Sequence, residues 1–209
     1  MNHGLISNLK TALQQSLPGM GAHQQLMPER KAIEDLEFSQ LKPKLSAVLV
    51  LLYPKNGQWH IVYIKRSTYP GVHSGQISFP GGKMEPSDSS LADTALREAE
   101  EEIGVSSKDV QLLGKLSDLY VPPSNFLIKP YVGVIERGQL FRPEPKEVSM
   151  VIELQLDYFF QAEKLVKRKW PVNSKLQREV KGYSYQEHLI WGATGMITHE
   201  LVEVLKGFR

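Results

Sequence analysis

Three glutamates, Glu98, Glu101 and Glu102, stand three and four positions apart in the run Arg97-Glu98-Ala99-Glu100-Glu101-Glu102-Ile103-Gly104-Val105. On a helix that spacing makes them near neighbours, and like charges so placed weaken it by about 0.2–0.5 kcal/mol per pair. A compensating cation is therefore expected. A hard dication such as Mg²⁺ takes carboxylate oxygens and water, and beside a phosphate it neutralises developing charge and acidifies a bound water. A glutamate run alone reads as a solvated helix face. The preceding Phe79-Pro80-Gly81-Gly82 shifts that reading, because paired glycines let a loop double back so that its carbonyls approach the same ion. Arg97, four before Glu101 and four after Asp93, can hold a carboxylate in one rotamer. The constellation suits metal-assisted hydrolysis of phosphate bonds.

The elements that must position these groups are legible around them. Ser90 and Asp93 have capping-box spacing, so a helix starts at Ser90, and Gly104 is placed to end it. Leu91, Ala92, Ala95, Leu96 and Ala99 give it an apolar stripe. Upstream, Leu45 to Tyr53 and His60 to Lys65 flank the turn Lys55-Asn56-Gly57 and read as a hairpin. Gln76 to Phe79 reads as a short strand before the glycines. Val110 to Leu116, Ile128 to Ile135, Val151 to Leu156 and Val180 to Gln186 are further strands, and Ala193 to Lys206 a closing helix. Leu5, Leu9, Leu13 and Leu17 mark one amphipathic helix, ended by Pro18-Gly19 and Gly21. Residues 1–42 then form an N-terminal helical extension, and residues 43–209 one α/β (α+β) domain with a mixed sheet sandwiched by helices.

Composition narrows the functional classes. Hydrophobic residues at 41% and charged residues at 23% are globular values. A formal net charge of +2 implies neither a nucleic-acid nor a membrane-surface partner. With no cysteine, disulfides, thiolate metal sites and a cysteine nucleophile are excluded. The longest apolar run, Ala47 to Tyr53, is too short to span a bilayer as a helix, and Asn2, His3 and Asn8 interrupt any leader-like stretch. A soluble cytoplasmic protein is expected.

The glycine turn and the glutamate run together resemble the signature of the Nudix hydrolases, Gly-x5-Glu-x7-Arg-Glu-U-x-Glu-Glu-x-Gly-U with U aliphatic. Arg97 falls fifteen residues after Gly82, one further than in that signature, and the acidic residue six after Gly82 is Asp88. A longer loop with aspartate is similar to the branch acting on coenzyme A, whose loop has the form Pro-Gly-Gly-x-x-Asp-x-x-Asp; here it reads Pro80-Gly81-Gly82-Lys83-Met84-Glu85-Pro86-Ser87-Asp88. The upstream Ile64-Lys65-Arg66-Ser67, His73, and Gly75-Gln76-Ile77-Ser78-Phe79-Pro80-Gly81-Gly82 also resemble that branch. Tyr69-Pro70-Gly71-Val72 departs from it where a basic contact is usual. Pro143 to Val148 and Ile190 to Gly195 extend the likeness downstream.

The resemblance implies an α/β/α sandwich and cleavage of a nucleotide pyrophosphate with Mg²⁺ or Mn²⁺. Carried over, Glu98, Glu101 and Glu102 match the metal-binding glutamates, Arg97 the arginine that orients them, and Gly82 the glycine whose carbonyl joins the ion. Glu101 is ligand or base. Glu147, in a loop before a strand, is an additional base or ligand, or simply an exposed loop charge. Lys65, Arg66, His73 and Gln76 are candidate substrate contacts; of Lys65 and Arg66, consecutive on a strand, at most one faces the site. The expected substrate is coenzyme A or acyl-coenzyme A, giving 3′,5′-ADP and (acyl-)4′-phosphopantetheine. Alternatives are a pyrophosphatase for ADP-ribose or another nucleoside diphosphate derivative, and a nucleotide-binding domain without catalysis, which the intact glutamates disfavour. Dimerisation is common among such enzymes and is an expectation here.

Overall fold

The computed structural model describes residues 2–33, 35–67, 75–171 and 177–208. Three helices lead in: α1 (Asn2–Ala12), α2 (Gly19–Leu26) and the single turn α3 (Phe38–Leu41). Then follow β1 (Lys44–Lys55), β2 (Gln58–Arg66), β3 (Ile77–Ser78), β4 (Gly81–Lys83) and α4 (Leu91–Ile103). The chain continues through β5 (Gln111–Lys115), β6 (Leu119–Val121), β7 (Phe126–Val134) and β8 (Val148–Gln155). It ends with β9 (Leu165–Pro171), β10 (Gln177–Tyr185), β11 (His188–Ile190) and α5 (Gly192–Lys206).

A mixed sheet forms the middle layer. Its main order is β3-β2-β1-β7-β5, with β4 added to β1, β6 to β7 and β8 to β2. β1 and β7 run parallel, the other pairs antiparallel. Because helices cover both faces, both sets of alternating side chains on β1 are apolar, which is why Ala47 to Tyr53 reads as an unbroken apolar run. Ala47, Leu49, Leu51 and Tyr53 pack with Ala95, Ala99 and Ile103 of α4. Val50 and Leu52 face the other way, toward Leu9 and Leu13 of the N-terminal segment and Ile197 and Leu201 of α5. Ile103 and Leu201 are fully buried, each contributing roughly 1.5–3 kcal/mol by leaving water. A second antiparallel sheet, β11-β10-β9, forms its own ladder, and its Tyr183 and Ile190 join the core beside Val50, Leu52 and Tyr63.

Several boundaries differ from expectation. The first helix stops at Ala12, although Leu9 and Leu13 are buried as the periodicity requires. Gly19 and Gly21 lie inside α2 instead of ending a helix; glycine-rich sequence has poor helix propensity, and tertiary contacts to α5 hold this one. Pro54 sits within β1, close to the hairpin turn. Gly81-Gly82 is a strand paired with Val48 and Ala47, not a free loop. β6, β9 and β11 lie outside the strands that the sequence pattern predicts. Among the described residues no helix is long and apolar enough to cross a membrane.

Candidate active site

α4 sets the geometry. Ser90 caps it, its hydroxyl accepting from the Asp93 backbone N–H at 3.2 Å, and Gly104 closes it in the left-handed backbone region at φ 68° that side-chain-bearing residues avoid. The helix does not present its three glutamates alike. Glu98 and Glu102 share the stripe leaning on the sheet, with side chains 14% and 1% exposed. Glu101 is turned outward, 58% exposed. β4 supplies the floor: the Gly81 N–H donates to Glu102 Oε2 at 2.9 Å, and Gly82 lies so close to Glu98 that a Cβ there would be 2.3 Å from Oε1. The second glycine is thus required by close approach, whereas Gly81, at φ 154°, is also required by its backbone conformation.

Arg97 joins loop to helix. Its Nε and Nη2 grip Asp88 Oδ1 and Oδ2 at 2.8 and 3.0 Å, Nη2 also meets Glu98 Oε1 at 3.1 Å and the Lys83 carbonyl at 3.2 Å, and Nη1 donates to Glu101 at 2.9 Å. Asp88 further accepts from the Glu85 N–H and the Thr94 hydroxyl, each at 2.9 Å. The Arg97 hydrogen bonds, followed by that from Glu85, hold the Asp88 carboxyl well below the usual carboxylate range. The sequence marks Asp88 only as the loop's acidic residue; its clamp on Arg97 and Thr94 has no signal beyond that position.

Two further segments close on the site. Residues 142–147 run past the end of α4, where the Arg142 and Glu144 N–H groups donate to the Ile103 and Glu102 carbonyls at 2.9 and 3.0 Å. This brings the exposed Glu147 near enough for its charge to act on both Glu98 and Glu102. From β2, Arg66 Nη1 reaches Glu102 Oε1 at 3.3 Å, a partnership that sequence reasoning missed. Burial pushes Glu102 up to about 7, against the pull of the Gly81 N–H and Arg66 and with added repulsion from Glu98 and Glu147. Glu98 is also raised, first by burial, with Arg97 opposing and Glu101 and Glu147 reinforcing.

Arg97, Glu98, Glu102, Gly82, Arg66 and Glu147 are therefore brought together, with Glu101 on the rim. Gln76 adjoins them, its carbonyl accepting from the Arg66 N–H at 3.0 Å, while Lys65 is half-buried at the next position of β2. His73 lies outside the described residues, as does Tyr69-Pro70-Gly71-Val72.

The family model for the NUDIX domain matches residues 43–179. The chain belongs to the Nudix family. It is a Nudix hydrolase, an enzyme of the pyrophosphohydrolase class. An uncharacterised Nudix hydrolase of Photorhabdus laumondii is 37% identical over 145 residues, covering 68% of this chain and 75% of its own. The mitochondrial coenzyme A diphosphatase of Homo sapiens is 31% identical over 166 residues, covering 78% of this chain and 70% of its own. Among solved structures, a MutT/Nudix family protein from Enterococcus faecalis shares the fold, with a TM-score of 0.50 at 18% identity over 88% of this chain and 64% of that one.

Nudix hydrolases generally use divalent cations, and the donor set here fits one. Glu98, half-buried, and Glu102, buried, are carboxylates with raised proton affinity that a dication would relieve, and all the candidate ligands are oxygens, as Mg²⁺ and Mn²⁺ prefer. Among the described residues no three acidic or histidine side chains already form a coordination shell. The chain's own arginines hold these carboxylates instead, Arg97 on Glu98 and Arg66 on Glu102.

Proposed function

We propose that this Nudix hydrolase cleaves the pyrophosphate bond of coenzyme A or acyl-coenzyme A, releasing 3′,5′-ADP and (acyl-)4′-phosphopantetheine. The observation that carries the reading is the lengthened loop from Gly82 to Arg97, whose Asp88 is held by Nε and Nη2 of Arg97. That loop form resembles the coenzyme A branch, and relatives named coenzyme A diphosphatases support the substrate.

Glu98 and Glu102 would hold Mg²⁺ or Mn²⁺, which supplies charge neutralisation on the phosphate oxygens and an acidified water. Arg97 keeps Glu98 in one rotamer, and Gly82 leaves room for its carboxylate. Glu147, exposed at the mouth and felt by both inner glutamates, accepts the proton as water attacks one phosphorus and the P–O–P bond breaks. Glu101 serves from the rim, steadying Arg97. Arg66 and Gln76, with Lys65 beside them, face the phosphate end of the substrate, and His73 is retained as a contact on the resemblance alone. Residues 1–42 act as an extension to the hydrolase domain.

A panel of coenzyme A, acetyl-coenzyme A, ADP-ribose and NADH with Mg²⁺ tests this, with products separated chromatographically. The expected result is 3′,5′-ADP from the coenzyme A substrates. Brisk ADP-ribose turnover with no coenzyme A turnover would overturn it.

A further inference from the structure

The strand that delivers Arg66 is irregular where it matters. β2 and β8 pair Lys65 with Met150 but Arg66 with Val148, so the register slips between them. Ser149, the extra residue, donates its hydroxyl to the Lys65 carbonyl at 3.0 Å. Bulges re-aim side chains beside functional sites, and this one is braced on both sides. The Arg66 N–H donates to Gln76, and the Ser67 N–H to the Glu147 carbonyl at 2.8 Å, while the Ser67 hydroxyl donates to Pro145 at 3.2 Å. The result points Arg66 at Glu102. Both oxygens of Glu102 are then occupied, one by Arg66 and one by the Gly81 N–H. The two sides of the pair differ in freedom: Glu102 is 1% exposed and fixed, whereas Arg66 is 25% exposed and can swing into solvent.

We propose that Arg66 is a displaceable counter-ion: it competes with the divalent cation for Glu102 and, once displaced, grips a phosphate oxygen of the ligand, so that cation and phosphate bind cooperatively. This rests on Glu102 being a metal ligand. A dication and a guanidinium cannot share one carboxylate oxygen without strong repulsion, so binding of the first must release the second. A released guanidinium on a braced strand end remains beside the site, and its planar fork matches phosphate. Coupling of this kind is reciprocal: phosphate that engages Arg66 must tighten cation binding by the same factor. Arg66 is in this sense a positioning residue for the metal as well as a contact for the substrate.

The test is Mn²⁺ affinity of the full chain, read from the electron paramagnetic resonance signal of free Mn²⁺, with and without saturating inorganic phosphate. Arg66→Gln is expected to bind Mn²⁺ about tenfold more tightly than wild type without phosphate, and to lose the tightening that phosphate gives wild type. Arg66→Lys, which keeps a competing charge, should stay close to wild type and guards against misfolding of the neutral variant. Lys146→Gln, removing an exposed charge nearby, controls for a general field effect and should change nothing. Arg66→Gln binding Mn²⁺ no more tightly than wild type, or retaining the phosphate effect, overturns the proposal while leaving the metal site intact. Wild type and Arg66→Gln both failing to bind Mn²⁺ would instead overturn the assignment of Glu102, and this proposal with it.

Discussion

Asp88 and Arg97 form a two-pronged ion pair, Nε to Oδ1 at 2.8 Å and Nη2 to Oδ2 at 3.0 Å, with the carboxylate almost wholly buried. The pair fixes the plane of a guanidinium that also steadies Glu98. Asp88→Asn keeps the shape but loses the charge and one acceptor, so Glu98 should drift. Turnover with Mg²⁺ is expected to fall about 10- to 100-fold, as for other groups that orient ligands, while circular dichroism still shows a folded chain. The pair also has a pH signature. Because folding lowers the Asp88 carboxyl below its ordinary 3.8, its stabilisation is present above that value and is lost as pH falls through the folded value. Wild type should lose more stability than Asp88→Asn when acid titrations enter that range.

Gly82→Ala places a methyl group where Glu98 now lies, 2.3 Å from Oε1. One of the two must move by about an ångström. Glu98 is at the edge of the core, so the expected outcome is a misplaced carboxylate in a folded protein. A displacement of that size costs about 10²-fold in rate. Kinetics beside a thermal melt would check it: a large fall in kcat with a small change in Tm is expected, and unchanged kcat would show that Glu98 has no fixed role.

Glu102 gives the site its dependence on pH. Its folded value near 7 lies above the ordinary 4.5, so in the metal-free protein the ionised form is penalised. The associated stability is fully present below 4.5 and is lost as pH rises through about 7. Glu102→Gln should therefore stabilise the metal-free chain at pH 8, by roughly 1–3 kcal/mol, and make little difference at pH 4. Cation binding has the opposite slope, since it needs the ionised carboxylate. Mn²⁺ affinity should climb toward pH 7 and then level off, and denaturant melts at the two pH values with and without Mn²⁺ would measure both trends.

How much of this was readable in the sequence depends on how local each feature is. The α4 helix, its Ser90 cap and its Gly104 stop were legible because capping and helical periodicity act over a few residues. Both faces of β1 were legible as an apolar run, though not which residues faced which helix. The fate of Glu101 was not, since equal spacing does not say which flank of a helix is buried. Arg66 meeting Glu102 depends on a slipped register against β8, thirty-six residues from its partner, and no local pattern encodes it. β4 and α2 were hidden because both are built on glycines, which mark turns by propensity and become strand or helix here only through contacts made elsewhere.

The clearest such contact is Glu200, at the far face of the sheet from α4. It is fully buried and accepts from the Gly19 N–H at 3.2 Å, from the Ser117 N–H and hydroxyl at 3.1 and 2.6 Å, and stands 3.0 Å from His23 Nε2. One carboxylate therefore ties α2 and the β5–β6 turn to α5. Burial pushes its proton affinity up, but the hydrogen bonds from His23 and Ser117 outweigh this and the net shift is downward. Its contribution is accordingly present above about pH 4.5 and lost as pH falls below it. Glu200→Ala would strand several buried donors, which costs about 1–3 kcal/mol for each group left unsatisfied. A total loss of at least about 3 kcal/mol is expected in urea unfolding at pH 7. Faster protease cleavage within residues 13–42 should accompany it, because α2 has little intrinsic helicity to fall back on. Turnover by the remaining folded protein should be unchanged, since the sheet separates Glu200 from Glu98 and Glu102; a fall in kcat with stability preserved would mean that the N-terminal segment serves the active site directly.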